Sequence, residues 1–370
     1  MNKKALPKTT ARFSPGRLEW LGNHTDYNNG LALAVAIDLG VTAIITLRHD
    51  DTIEITSENY PGEKISAHLQ ELTEKKHPGW SGYVLGVIAL FRDAGHLQSG
   101  LHITITSTLP EGAGISSSAA LECATALALL DLTAAPFGLL ELAKLCQRAE
   151  HRYVGTQCGL LDQISSLAGQ KNHALLIDFH DLSHRAIPVP QHCEFLVFPS
   201  GAKHALVAGE YNERKASCEK AARLLGVPHL AQASPEQLRA SSHLLDERTR
   251  RRALHVVGEI QRVREAIHFL EKNSPHELGR LMYESHDSSV KNFENSHPAL
   301  DSIVNWLRAD GRVWGARLTG GGFGGSVLAF CEKSLSQSVM ADYITHAPDS
   351  PRPIRCAAGP GGWELAGLAA

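Results

Sequence analysis

The run Leu109-Pro110-Glu111-Gly112-Ala113-Gly114-Ile115-Ser116-Ser117-Ser118-Ala119-Ala120 decides how the chain is read. Before it, Leu101–Ser107 alternates apolar and polar residues with period 2, the pattern of a half-buried strand. After it, Ser117 through Leu132 is rich in Ala and Leu and predicts a helix. Strand, glycine turn and helix in this order suit an anion. Glycine lets backbone N–H groups approach closely, and a helix start offers unpaired donors and a positive dipole end. The three serines add hydroxyls for phosphate oxygens or Mg²⁺. No G-x-x-x-x-G-K-[ST] occurs, and Ser117 stands where G-x-G-x-x-G needs its third glycine. Taken alone, the run is equally an ordinary serine-capped helix after a glycine turn.

Further strands are predicted at Val41–Leu47, after the apolar run Leu31–Ile37, and at Ala174–Asp178 and Glu194–Phe198. Helices are predicted over Leu139–Tyr153, Glu213–Leu225, Thr249–Lys272 and Pro275–His286, so the second half is helix-heavy. The segment His184–His192 carries Pro188 and Pro190 and reads as a linker, dividing the chain into domains 1–188 and 189–370. A glycine cluster, Gly320–Gly325, precedes a strand at Ser326–Phe330.

The chain has 370 residues, room for about two domains at ~150 residues each. Lys plus Arg number 36 and Asp plus Glu 39, a net charge of −3, which argues against a nucleic-acid binder. No apolar run reaches the ~18 residues of a membrane span, and Met1–Thr10 lacks the apolar stretch of a secretory signal. The seven cysteines are scattered and form no C-x-x-C, so a disulfide framework or zinc site is not expected. A reduced, cytoplasmic protein is the expectation.

Three blocks in fixed order carry more. They are Pro15-Gly16-Arg17-Leu18-Glu19-Trp20-Leu21-Gly22-Asn23-His24-Thr25-Asp26-Tyr27-Asn28, the serine loop, and Ala316-Arg317-Leu318-Thr319 followed by Gly320–Gly325. Together they resemble the GHMP kinase superfamily, and the first resembles the galactokinase hallmark G-R-x-N-[LI]-[IL]-G-E-H-T-D-Y. The likeness continues through Ser200-Gly201-Ala202-Lys203-His204, through Gly209–Arg214 and through Leu281–His286. It implies two α+β domains with the active site in the cleft between them.

The resemblance also implies the chemistry: transfer of the ATP γ-phosphoryl group to the C1 hydroxyl of galactose, with Mg²⁺. On that basis Gly112, Gly114, Ser116, Ser117 and Ser118 cradle the phosphates, and Ser118 and Glu150 hold the metal. Asp162 accepts the hydroxyl proton, and Arg17 beside it stabilises the moving charge. Asn23, His24, Asp26, Gly159 and Tyr211 line the sugar pocket. The partners are then a small sugar and ATP, with no nucleic acid and no membrane; the oligomeric state stays open, a monomer being compatible.

The chain departs from the hallmark at Asn23, where Glu is usual and lies close to the sugar's C6 hydroxyl. Asparagine brings donors in place of a charge, so a sugar with a C6 carboxylate, such as galacturonate, is an alternative substrate. Glu19 stands where Asn is usual, Trp20 where an aliphatic residue is, and Asn292-Phe293-Glu294-Asn295-Ser296 replaces D-Y-E-V-S. The lead before Pro15 is short, which predicts a truncated first strand. A non-catalytic sugar and ATP sensor, and a kinase for mevalonate or homoserine, remain as competing readings. The residues Arg17, Ser118, Glu150 and Asp162 speak against the first, and His24-Thr25-Asp26-Tyr27 against the second.

Overall fold

The computed structural model describes residues 8–74, 79–110, 112–202 and 207–366. Glu111, Lys203, His204 and the first seven residues of the chain lie outside them. The first strand, β1 (Thr9–Leu21), is 13 residues long, so the short lead does not truncate it. Leu31–Ile37 and Val41–Leu47, separate runs in the sequence, form one antiparallel partner to it, β2 (Leu31–Leu47). Asp38 and Gly40 sit within this strand without ending it, because both of its halves are paired to β1.

The chain continues through β3 (Thr52–Ser57), β4 (Lys64–His68), α1 (Ser81–Asp93), β5 (Leu101–Ser107), α2 (Ser117–Thr133), α3 (Leu139–Ala149), α4 (Leu161–Ala168), β6 (His173–Asp178) and β7 (Ser183–Pro188). The strands make a seven-stranded sheet in the order β4-β3-β5-β2-β6-β7, with β1 beside β2. Helix α2 is apolar on all sides, and almost all of it is buried between the sheet and its fellow helices, as such a composition requires. The helix predicted over Leu139–Tyr153 changes character at Glu150, where a π-helical turn, Glu150–Val154, widens the coil and closes at Gly155. The segment His184–His192, expected to be irregular, is partly strand. Its first part is the edge strand β7, which pairs only with β6, and an edge tolerates the missing N–H of Pro188.

A second sheet takes β8 (Cys193–Pro199), and after it come α5 (Val207–Leu225), α6 (Pro235–Ala240), α7 (Glu247–Glu271), α8 (Pro275–Ser288) and α9 (Pro298–Ala309). Then follow β9 (Val313–Thr319), β10 (Ser326–Glu332), α10 (Ser336–His346), β11 (Ile354–Cys356) and α11 (Gly362–Leu365). The four strands run antiparallel in the order β11-β8-β10-β9. The tail then returns to the first sheet, where Gly359 N donates to Ala36 O at 2.8 Å and Gly361 N to Gly169 O at 2.7 Å. Mixed strands and helices in both halves make this an α+β architecture.

The seam between the sheets is built on β1. Trp20 is fully buried, edge-on to Phe195 at 4.8 Å and tilted against Phe330 at 5.0 Å, and its indole N–H donates to the Met282 sulfur. All seven cysteines are free, and six are buried. Among the described residues, no helix is long and apolar enough to cross a membrane.

Candidate active site

The end of β1 turns sharply at Gly22, whose φ of 102° a side chain would strain and whose missing Cβ would lie 2.5 Å from Ala32 Cα. Thr25 fixes the turn, its hydroxyl bonding the Gly22 and Leu31 carbonyls at 2.7 Å each. This holds His24 in the left-handed region, with φ of 58°, and brings Asp26 under a cavity of about 410 Å³. Arg17, Asp26, Gly159, Asp162 and Tyr211 line that cavity, drawn from three separate stretches of chain.

His24 uses both ring nitrogens on the protein. Nε2 donates to the Gly321 carbonyl at 3.0 Å, which leaves Nδ1 to accept from the Tyr27 hydroxyl at 2.8 Å. Burial lowers its pKa to about 3, so the ring is a neutral wall of the cavity, packed on Tyr211 and Phe293. Asp26 keeps some surface at the cavity, yet burial pushes its carboxyl up to about 7, with Glu19 and Asp162 adding to the rise. Gly159 is there for contact: a Cβ on it would lie 1.7 Å from Asp26 Oδ2.

Asp162, in the first turn of α4, is held at both oxygens. Arg17 Nε donates to Oδ1 at 2.8 Å, and the Ser116 hydroxyl donates to Oδ2. Arg17 also donates through Nη1 to the Gly114 carbonyl at 2.9 Å, and its backbone N–H to Ile115 O at 3.0 Å. One arginine therefore ties strand β1, the serine loop and α4 together. Gly112 and Gly114 adopt φ of 66° and 65°, and Ser116, at 62°, turns the chain into α2. The Gly320–Gly325 block passes directly against this loop; a Cβ on Gly320 would lie 2.9 Å from Gly114 O.

Ser117 and Ser118 open on a second, more apolar cavity of about 680 Å³ walled by Tyr60, Trp80, Tyr83 and Leu121. Behind the serines lies a group of buried acids. Gln163 Nε2 donates to Glu122 Oε2 at 3.1 Å and to Glu150 Oε2 at 3.4 Å. Burial, and then the charge of Asp162, raises Glu150 to about 7, and burial and then Glu150 push Glu122 well above the usual carboxylate range. Glu122 Oε1 is buried with no donor among the described residues. Among the described residues no three His, Cys, Asp or Glu side chains cluster as a metal site, so a divalent cation here would take most of its shell from phosphate and water, with Ser118 and Glu150 as the candidate oxygen ligands.

Asn23 borders the first cavity but has no free amide hydrogen to offer it. Its Nδ2 donates to Glu19 Oε1 at 2.9 Å and to Gly320 O at 2.8 Å, and its Oδ1 accepts from Asn295 Nδ2 at 2.9 Å. The expectation that Asn23 donates to a sugar carboxylate fails for that reason, and with it the ground for a galacturonate-specific pocket. Sequence reasoning also passed over several neighbours: Arg317, fully buried and paired to Glu19 at 3.0 Å; Glu122; and the aromatic wall of the second cavity. An arginine inside the apolar strand Val313–Thr319 was the one visible signal; nothing in the local sequence marks the others.

Known proteins resemble this chain over most of its length. The galactokinase galactose-binding signature matches residues 3–47, the GHMP kinases N terminal domain matches 82–170, and the GHMP kinases C terminal domain matches 266–347. The galactokinase of Streptomyces coelicolor is 39% identical over 324 residues, covering 86% of this chain and 84% of that one. That of Roseiflexus sp. strain RS-1 is 38% identical over 334 residues, covering 89% and 85%. The crystal structure of Lactococcus lactis galactokinase complexed with galactose superposes with a TM-score of 0.90 at 30% identity, covering 96% of this chain and 94% of the other. The L. major mevalonate kinase shares the fold at a TM-score of 0.68 and 19% identity, covering 97% of this chain and 99% of its own. Relatedness of this extent over nearly the whole length, with the signature strand at its centre, makes the chain a member of the galactokinase family of GHMP kinases.

Proposed function

We propose that this chain transfers the γ-phosphoryl group of ATP to the C1 hydroxyl of galactose. The observation that carries the reading is the position of Asp162, which lines the sugar-side cavity and is bonded to Arg17 and Ser116 of the glycine–serine loop. A hydroxyl bound over Asp26 and Gly159 then lies between a proton acceptor and the place for a phosphate.

Asp162 takes the proton as the C1 oxygen forms its bond to phosphorus, and the bond to ADP breaks with its electron pair leaving on ADP. Ser116, whose hydroxyl is on Asp162 in the free protein, is the residue whose bond must loosen for that proton. Arg17 orients the carboxylate and supplies positive charge where charge builds up on the transferred group. The backbone of Gly112 and Gly114, the serine hydroxyls and the start of α2 receive the phosphates, and the aromatic cavity beside Ser118 suits a purine. Ser118 and Glu150 would hold Mg²⁺, which when bound neutralises phosphate charge. Asp26, Tyr211 and Gly159 shape the sugar site. With seven free cysteines, the reading is of a cytoplasmic enzyme.

The test is ADP release with ATP and Mg²⁺ over a panel of galactose, galacturonate, mevalonate and homoserine. Turnover confined to galactose is expected. Binding of galactose and ATP without turnover would instead favour the sensor reading.

A further inference from the structure

The side chain of Glu19 is almost wholly buried at the seam between the two sheets, yet it lines the sugar-side cavity. Its Oε1 is fixed from two sides, by Asn23 Nδ2 at 2.9 Å and Arg317 Nη2 at 3.0 Å. Arg317 is itself locked, donating through Nη1 to the carbonyls of Glu19 and Trp20 at 3.1 Å each. No described residue donates to Glu19 Oε2. The carboxyl is therefore oriented by one oxygen and left free at the other, two residues along β1 from Arg17 and lining the same cavity as Asp26. That Glu19 raises the pKa of Asp26 agrees with the two facing one space.

Three positions at which the chain departs from the galactokinase pattern meet at this point. Glu19 replaces the usual Asn, Asn23 the usual Glu, and Asn295 an apolar residue. Asn23 bonds to both of the others. The amide and the carboxylate have exchanged places along the strand and its turn, and Asn295 caps the amide oxygen that the exchange leaves buried.

We propose that Glu19 is the specificity-determining carboxylate of the sugar cavity: its Oε2 accepts a hydrogen bond from a sugar hydroxyl, and its charge turns away a sugar that carries a carboxylate there. The inference rests on the galactose kinase reading above and names the residue that enforces it. Asn23 and Arg317 are the positioning residues that hold Glu19 in place.

Glu19→Gln is the cleanest test. A glutamine keeps an oxygen for Asn23 and Arg317 but puts an amide nitrogen where Oε2 was. We expect KM for galactose to rise about tenfold with kcat within about twofold, and the preference for galactose over galacturonate to narrow. A KM within about twofold of the parent, with an unchanged preference, overturns the proposal. Should Glu19→Gln not fold, the double variant Glu19→Asn/Asn23→Glu decides, compared with Asn23→Glu alone. Recovery of galactose turnover in the double variant supports the exchanged pair, and no recovery overturns it. Absence of galactose turnover in the parent protein would sink the kinase reading instead, so the two failures are distinct.

Discussion

Arg17 Nε lies 2.8 Å from Asp162 Oδ1, joining strand β1 to helix α4 across 145 positions of sequence. The arginine side chain is nearly buried and the aspartate opens on the cavity, so the pair is asymmetric: a fixed cation carrying an accessible carboxylate. A purely structural ion pair has no need of that asymmetry.

Asp162→Asn keeps the shape and the Ser116 contact but removes the proton acceptor. Turnover should fall by roughly 10²–10⁴-fold while galactose binding persists. Steady-state ADP release and calorimetric sugar binding measure the two effects; a folded variant with parental kcat would remove Asp162 from the reaction.

Gly159→Ala should close the sugar site without unfolding the chain. The new methyl would stand 1.7 Å from Asp26 Oδ2, so the carboxylate has to swing away from its position over the cavity. We expect KM for galactose to rise at least about tenfold, with a near-parental melting temperature. Parental KM would show that Asp26 does not contact the sugar.

Asp26 links the site to pH. Burial lifts its carboxyl from 3.8 to about 7 in the folded chain, so between those values the folded state holds a proton that the unfolded state has released. Its contribution to stability therefore falls as pH rises through that window and levels off above it. Asp26→Asn removes this loss. Relative to the parent without ligands, the variant should gain melting temperature between about pH 5 and about pH 8, by on the order of 5 °C. Parallel curves for the two proteins would contradict the assignment.

Trp20 fills the seam between the two sheets, packed on Phe195 and Phe330. Trp20→Ala leaves a cavity against Phe195 and Phe330 and should cost about 3–5 kcal/mol, read from urea unfolding. Trp20→Leu should cost clearly less, since it refills much of that volume. Equal costs for the two would mean that the seam does not depend on packing at this position.

Much of the site is local and was legible in the sequence. The glycines of the serine loop announce a turn that only positive φ allows, and Leu101–Ser107 and the start of α2 follow from period and composition. The signature from Gly16 to Tyr27 reads as one block because β1 and its turn are contiguous. Elements set by distant partners were not legible. The joining of Leu31–Ile37 to Val41–Leu47 depends on β1, and the edge strand at Ser183 depends on β6. The aromatic wall of the second cavity is assembled from residues with no common motif.

The sequence by itself determined, through an order of motifs that resembles the galactokinase pattern, that this chain folds as an α+β kinase of that kind; its turns and helix starts are written in neighbouring residues. Only the tertiary structure decided what Asn23 does. Read along the chain it had lost a carboxyl and gained donors; in the folded protein those donors are consumed by Glu19 and Gly320, and a carboxyl stands four residues earlier, held by Arg317 from the other sheet. Hydrogen-bonding capacity belongs to a residue, but whether any is left for a ligand depends on every group packed around it, and those groups come from far along the chain.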